Sequence, residues 1–176
     1  MPPSRALSLS RPLIRFLVAL NLAYALFVLA MLVVSLLPGS ILFEALGLLP
    51  FPPEHHARIV LGLRAILLVG VLAAAVVDRM LRQLLAIVET VRTGDPFVAR
   101  NAQRLEHIAW CVLAAEGLRL LIGAIAWAAT NGVDSLDLDL GIGFSITPWL
   151  AVLLLFVLAR VFAEGARLRA DLDGTV

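Results

Sequence analysis

The chain has 176 residues, of which 61% are hydrophobic and 15% are charged, and its formal net charge is +1. With a mean hydropathy of +0.99, this composition excludes an ordinary soluble domain, because too few polar side chains are available to cover a globular surface. The single cysteine, Cys111, excludes an internal disulfide, and we interpret it as a small packed hydrophobic residue. The length suits one small membrane domain.

Four apolar stretches predict four membrane-crossing helices, each long enough for a hydrocarbon core of roughly 30 Å. They cover about residues 13–37, 59–77, 108–129 and 147–163. The first stretch follows Arg5, Arg11 and Arg15, as a signal peptide would. Its apolar run is longer than that of a signal peptide and no cleavage site follows, so we interpret it as a retained anchor. Residues 1–176 are therefore predicted to form one all-α, polytopic membrane domain.

The two connections on the opposite side from the N-terminus have different patterns. Residues 38–57 contain four prolines around SILFEALGLL, which we interpret as a short helix in the membrane interface. Here Glu54, His55 and His56 could bind a metal, but adjacent histidines do not share a helix face, so a solvated loop is favoured. In residues 131–146, the segment SLDLDLGIGFSI alternates apolar and polar residues, and this period of two predicts an extended strand.

The second helix is predicted to continue beyond the membrane. Apolar residues recur at helical spacing after Asp78, which gives a water-facing helix one apolar stripe. The stripe consists of Leu81, Leu84, Leu85, Val88 and Val91. Gly94 then offers a helix C-cap, and Asp95 followed by Pro96 suits the start of the next helix. Residues 78–107 are therefore predicted to form a helical hairpin outside the bilayer.

The fourth helix is also predicted to continue, as a C-terminal arm over about residues 164–176. A second apolar stripe follows it, at Val161, Phe162, Leu168 and Leu172. The hairpin and the arm together form a candidate docking surface for a cytoplasmic protein; the alternative is that the two stripes only pack on each other. The docking residues at the rim of this surface are predicted to be Phe97, Arg104, Arg167 and Arg169.

The arginines predict the orientation of the helices. All 14 basic residues are arginine; 11 lie in the N-terminal tail, in the hairpin or at the C-terminal end, and Arg58 alone lies on the opposite side. Positive residues accumulate on the cytoplasmic side, so both termini are predicted to be cytoplasmic in a bacterial inner membrane. Seven acidic residues reduce the charge of that face to +4, and the arm is neutral, so direct nucleic-acid binding is not expected.

Five polar residues inside the predicted crossings form a candidate intramembrane polar cluster, since such side chains usually face protein or water. They are Asn21, Tyr24, Arg64, Glu116 and Arg119. Glu116 and Arg119 lie three residues apart, hence on one helix face. The structural interpretation is a clamp between helices, and the alternative is a small polar pocket or proton-linked site. Transport is less favoured, because transporters often break a helix near the site and use more than one acid–base pair.

Two segments have distinctive patterns: GDPFVARNAQRLEHIAW at residues 94–110, and FSITPWLAVLLLFVLARVFAEGARLRADLDGTV at residues 144–176. They resemble a family of small bacterial four-helix membrane proteins known only as a domain of unknown function. The similarity extends from about Leu81 to the end of the chain, and the first helices agree only in hydropathy. Members are often encoded beside a small Cro-like helix-turn-helix regulator, so the resemblance implies a membrane partner for a transcription factor.

The sequence contains no glycine-rich phosphate loop, nucleophile elbow or paired metal-binding motif. We therefore predict a non-enzymatic protein without cofactor or metal, embedded in the lipid bilayer, that docks or senses a small helix-turn-helix regulator. One alternative is a small-molecule or ion-handling membrane protein that uses Glu116 and Arg119. The other is a homo-oligomeric membrane scaffold.

Overall fold

The computed structural model describes residues 5–38, 53–92, 98–130 and 145–173. It contains four helices there: α1 (Arg5–Val34), α2 (Pro53–Arg92), α3 (Ala99–Thr130) and α4 (Thr147–Asp173). All four are long and apolar enough to cross a membrane, and the described residues contain no strand. The predicted all-α class with four candidate spans is therefore confirmed.

Three predicted features fall outside the described residues. They are the interfacial helix in residues 40–49, the hairpin turn in residues 93–97, and nearly all of the strand predicted for residues 135–146. The helices that flank the hairpin turn are described, and α2 continues without a break to Arg92, as its apolar stripe predicts.

The helices begin or end at different residues from the apolar stretches. α2 begins at Pro53, six residues before the predicted crossing, because proline is well suited to the first helical position. His55 and His56 therefore lie in its first turns and not in the expected loop. α1 ends at Val34, where a tight turn closes with hydrogen bonds from the amides of residues 35–37, and the turn precedes Pro38. Proline disfavours a helical residue before it, which explains this end.

Large apolar side chains face outward along all four helices. Only 6% of the most apolar part of α1 is buried, and only 11% of that of α4. Phe27 and Trp127, for example, are 62% and 68% exposed. Contiguous apolar surface of this extent is unusual on a soluble monomer and is typical of helices that face lipid. The surface is therefore compatible with a multi-pass membrane protein.

The helices contribute to two compact units. The hairpin unit comprises Met1–Leu22, Val76–Glu116 and Ser145–Val176, and the cap unit comprises Ala23–Ala75 and Gly117–Phe144. The buried apolar residues of the hairpin unit are Ile14, Leu81, Ala102, Leu105, Ile108, Ala109, Val152 and Ala159. Those of the cap unit are Val28, Val69, Ala74, Ala126 and Ala129.

Glycine allows close helix packing in the cap unit. A Cβ atom placed on Gly62 of α2 would lie 2.5 Å from the Cβ of Ala129 on α3. A Cβ on Gly70, two turns along α2, would lie 3.3 Å from Cγ1 of Val28 on α1. Small residues promote association of membrane helices because they let two backbones approach. Gly62 and Gly70 thus allow α2 to contact α3 and α1.

Candidate functional site

Two arginines of α2 cap the carboxyl ends of other helices in the cap unit. Arg64 donates hydrogen bonds from Nε and Nη2 to the carbonyl oxygen of Ser35, at 2.9 and 2.7 Å. Arg58 donates from Nε to the carbonyl oxygen of Ala129, at 3.2 Å. The last carbonyls of a helix lack an intrahelical partner, and a cation is favoured beside them. Arg64, a predicted member of the polar cluster, thus has a structural role as a cap.

The predicted intramembrane polar cluster is divided between the two units. Asn21 and Glu116 belong to the hairpin unit, whereas Tyr24, Arg64 and Arg119 belong to the cap unit. Glu116 is buried at 6% exposure, Asn21 and Arg119 are half-buried, and Tyr24 is 54% exposed. Glu116 and Arg119 lie on successive turns of α3. That all five residues form one polar cluster stays a prediction.

A hydrogen-bond network centred on Asn101 joins α2 to α3 in the hairpin unit. Asn101 is fully buried, and its Oδ1 accepts hydrogen bonds from Thr90 Oγ1 and from Arg104 Nη1, both at 2.9 Å. Nη1 of Arg104 also donates to the carbonyl oxygen of Ala86, at 3.0 Å. Thr90 and Ala86 lie on α2, whereas Asn101 and Arg104 lie on α3. The network therefore holds the two arms of the hairpin in antiparallel contact.

Sequence reasoning did not select Asn101 as a site residue. One asparagine on a helix with several polar residues has no periodicity or spacing that distinguishes it. The available signal was its place in the GDPFVARNAQRLEHIAW segment, which also contains Arg104. Arg104 was predicted at the rim of the docking surface, but its Nη1 is directed to hydrogen bonds within the hairpin.

An ion pair connects α1 to α2 in the same unit. Nε of Arg11 lies 3.6 Å from Oε2 of Glu89, and the two side chains are 36% and 50% exposed. A pair with this exposure contributes little to stability, typically below about 1 kcal/mol. The pair shows that the face of α1 that carries Arg11 lies near Glu89 of α2.

The two predicted apolar stripes differ in exposure. On α2, Leu81 is buried and Leu84 is 38% exposed, and the rest of that stripe is half-buried. On α4, Val161, Leu168 and Leu172 are 57%, 58% and 69% exposed. Three of the four residues of the α4 stripe are therefore more exposed than any residue of the α2 stripe. Arg167 and Arg169 are exposed beside it, whereas Phe97 lies outside the described residues.

A groove of about 490 Å³ lies between α3 and α4 in the hairpin unit. We call it the α3–α4 groove, and it is lined by Ala99, Ala102, Gln103, Glu106, Phe156, Ala159, Arg160 and Ala163. Near one end, the rings of Trp110 and Phe156 contact edge to face, with centroids 5.5 Å apart. Away from these rings, four alanines line the groove: Ala99 and Ala102 on α3, and Ala159 and Ala163 on α4. Small residues beside a large aromatic contact leave the space between the helices open.

Comparisons with known proteins assign a family and no activity. A family model described as a protein of unknown function (DUF2975) matches residues 12–176. No curated protein sequence matches the chain, and no solved structure matches it. The family match includes α1 from residue 12 and all of α2, where the sequence resemblance rests on hydropathy alone.

Proposed function

This chain belongs to the DUF2975 family of proteins of unknown function, and from its own surfaces we propose that it is a non-enzymatic membrane docking protein. Its partner is a small helix-turn-helix transcription regulator, which it holds at the membrane and away from DNA. In this proposal the protein resides in a bacterial inner membrane, with both termini and the hairpin in the cytoplasm.

The exposed stripe of α4 is the observation on which the proposal rests. Leu168 and Leu172 are four residues apart, so they share one helix face, and they are 58% and 69% exposed. The fourth crossing is predicted to end near residue 163, so α4 extends about 15 Å farther to Asp173. An apolar helix face in water is suited to pack against an amphipathic helix of another protein.

Two arginines beside the stripe can contact acidic residues of a partner, on a segment, residues 160–176, whose net charge is zero. Arg167 and Arg169 are exposed and flank Leu168 along the chain. Arginines at the rim of an apolar contact speed association with an oppositely charged surface and fix its orientation. The neighbouring hairpin provides a rigid support, because the Asn101 network joins its two helices.

The proposal is tested by placing charge on the stripe. Leu168→Arg combined with Leu172→Arg introduces two cations where the regulator would pack, so we expect the regulator to move from the membrane fraction to the soluble fraction. Ala170→Arg is the matched control, because residue 170 is exposed and lies on nearly the opposite face of α4. The measurement is affinity purification from native membranes, with identification and quantification of co-purified DNA-binding proteins.

Both leucines are exposed, so the double variant is expected to insert and unfold like the parent protein. Truncation after Ala166 is a second variant, since it removes Leu168 and Leu172 and keeps the residues that line the α3–α4 groove. If parent, double variant and truncated protein retain the same partners in equal amounts, the arm is not the docking surface.

A second candidate function is the handling of a small molecule or ion at Glu116. This acidic side chain is only 6% exposed and lies in the middle of α3, where an ionisable group is costly and commonly functional. Under this alternative, the Glu116→Gln variant no longer carries the small molecule or ion into liposomes that contain the purified protein, whereas the double leucine variant carries it at the full rate. Under the docking proposal, the Glu116→Gln variant still binds the regulator.

A further inference from the structure

The α3–α4 groove exposes apolar surface beyond the predicted membrane crossings. Ala102 and Ala159 form its buried floor, and its rim includes the exposed Ala99 and Ala163. In the predicted orientation, Ala99 and Ala102 lie on the cytoplasmic side of the third crossing, and Ala163 lies at the cytoplasmic end of the fourth. Lipid chains do not reach a surface at that depth, so it faces water. Covering it with another protein surface is then favoured by the hydrophobic effect.

Two charges of opposite sign line the same groove. Glu106 lines it from α3 and Arg160 lines it from α4, and both side chains are exposed. In the part of the chain that the structure describes, neither is held in an ion pair. One wall of the groove therefore presents an anion and the other a cation, and both are accessible to a second molecule.

Glu106 and Arg160 lie at the same depth. The edge-to-face contact of Trp110 with Phe156 sets the register of α3 against α4. Glu106 lies four residues before Trp110, and Arg160 lies four residues after Phe156. Because consecutive crossings are antiparallel, both displacements run toward the same side of the membrane, and each measures about 6 Å. The two charges are therefore at one level of the hairpin unit.

We propose that the α3–α4 groove is the interface of a homodimer whose twofold axis is parallel to the membrane normal. Two copies of a membrane protein share one orientation in the bilayer, so each residue has the same depth in both. A twofold axis beside the groove places Glu106 of each copy opposite Arg160 of the other, which gives two equivalent ion pairs. The alanines let the helices approach closely, and the apolar stem of each arginine packs over them.

The charges of the groove favour a second copy over other occupants. The groove contains both members of the ion pair at one depth, so a twofold contact satisfies each charge without any further group. A lipid chain would lie in the hydrocarbon region, away from most of the alanines. A helix of the regulator would need its own cation for Glu106 and its own anion for Arg160, at matching spacing.

Charge reversal tests the dimer. Glu106→Arg and Arg160→Glu each replace two attractive contacts by two repulsive ones, so each purified variant should dimerise about a hundredfold more weakly than the parent, roughly tenfold per contact. A mixture of the two variants should recover the dimer, because every contact of a mixed dimer again joins opposite charges. The measurements are native mass spectrometry in detergent and co-purification of the two variants through different affinity tags.

Two control variants test the location. Arg169→Glu should dimerise like the parent, because residue 169 is exposed on the face of α4 opposite Arg160. Ala163→Leu fills the groove from its exposed rim and should abolish the dimer, whereas Ala151→Leu, at an exposed alanine of α4 outside the lining, should retain it.

The dimer measurements use the purified protein alone, so they do not depend on the docking proposal. A monomeric parent would overturn the inference, and so would a mixture of Glu106→Arg and Arg160→Glu that is no more dimeric than either variant alone. Rescue on mixing cannot come from a contact within one chain, so it separates a dimer contact from an effect on folding. If the parent is monomeric and Ala163→Leu loses the regulator, the groove belongs to the regulator and not to a second copy.

Discussion

Gly62 on α2 and Gly117 on α3 are both inside helices but have opposite surroundings. A Cβ on Gly62 would lie 2.5 Å from the Cβ of Ala129, closer than two carbon atoms can approach without movement of a helix. A Cβ on Gly117 would have nothing within 4 Å. Glycine in a helix costs about 1 kcal/mol relative to alanine. The two positions therefore separate the effect of packing from that of helix propensity.

We predict that alanine has opposite effects at these two positions. Gly117→Ala should raise the stability of the detergent-solubilised protein by roughly 0.5–1 kcal/mol, because it removes the conformational cost of glycine and meets no neighbour. Gly62→Ala should lower stability by about 1–3 kcal/mol, because α2 and α3 must separate to accept the methyl group. The measurement is the apparent melting temperature of each variant. A rise in both variants would show that α2 and α3 do not approach at Gly62.

Arg64 illustrates which part of a residue's role can be predicted from sequence. A charge in an apolar run is conspicuous, so the sequence selected Arg64 as an intramembrane polar residue. Its hydrogen-bond acceptor is a main-chain carbonyl at Ser35, 29 residues away. Every residue has such a carbonyl, so no pattern identifies this one. Only the antiparallel packing of α1 and α2 shows that Arg64 caps a helix.

At the scale of the element, the hairpin depends on a buried amide as well as on its apolar residues. Asn101 is fully buried and its Oδ1 accepts from both Thr90 and Arg104. Loss of that oxygen would leave Thr90 Oγ1 with the Ile87 carbonyl, 2.7 Å away, and Arg104 Nη1 with the Ala86 carbonyl as acceptors. It would remove the bond from Thr90 across the hairpin and the bond from the charged Arg104, and a hydrogen bond to a charged group contributes about 1.5–3 kcal/mol.

We predict that Asn101→Ala loosens the hairpin and that Asn101→Asp does not. The alanine variant loses the acceptor, whereas aspartate keeps an oxygen for Thr90 and adds a charge opposite Arg104. The measurement is amide hydrogen exchange in residues 86–92 and 98–104, which should accelerate roughly tenfold or more in the alanine variant. Exchange in α4 beyond residue 164 serves as the internal reference. Equal acceleration in both variants would mean that Oδ1 is not the essential acceptor.

The existence of the helices could be predicted from sequence better than their ends. Apolar runs identified all four helices, and the stripe after Asp78 predicted that α2 continues to Arg92. Hydropathy reports where a helix is compatible with lipid, so it places the start of α1 near residue 13. The helix itself begins at Arg5 and includes Pro12. Polar residues form helix as readily as apolar ones, and hydropathy cannot detect that extension.

At the scale of the whole molecule, orientation in the membrane is the prediction with the widest consequences. Eleven of the 14 arginines lie in the tails and the hairpin, and Arg58 alone lies in the opposite connections. Reporter fusions after residue 95 and at the C-terminus should report cytoplasm, and a fusion near residue 137 should report the outside. An external signal at residue 95 would reverse the layout and remove the hairpin and arm from the reach of any cytoplasmic regulator.

The α3–α4 groove could not be predicted from sequence, for a reason that applies to the whole fold. Its lining comes from residues 99–106 and 156–163, which are separated by about 50 positions of chain. Alanines on either segment are ordinary in an apolar helix. They become a cavity only when antiparallel packing places both sets at one level, beside the contact of Trp110 with Phe156. The C-terminal arm, by contrast, lies on one helix, so its helical continuation can be predicted from periodicity alone.

The bonds from Arg64 to the Ser35 carbonyl have a consequence for biosynthesis. Ser35 leaves the ribosome 29 residues ahead of Arg64, so a nascent chain that contains only the first helix has an end that lacks this cap. In the predicted orientation, Arg64 must itself cross to the far side of the bilayer, which is unfavourable for a lone guanidinium. Both problems are solved together if the translocon releases α1 and α2 as a pair, with the guanidinium already bound to the carbonyl. The first helix is then a complete structural unit only after the second has been made.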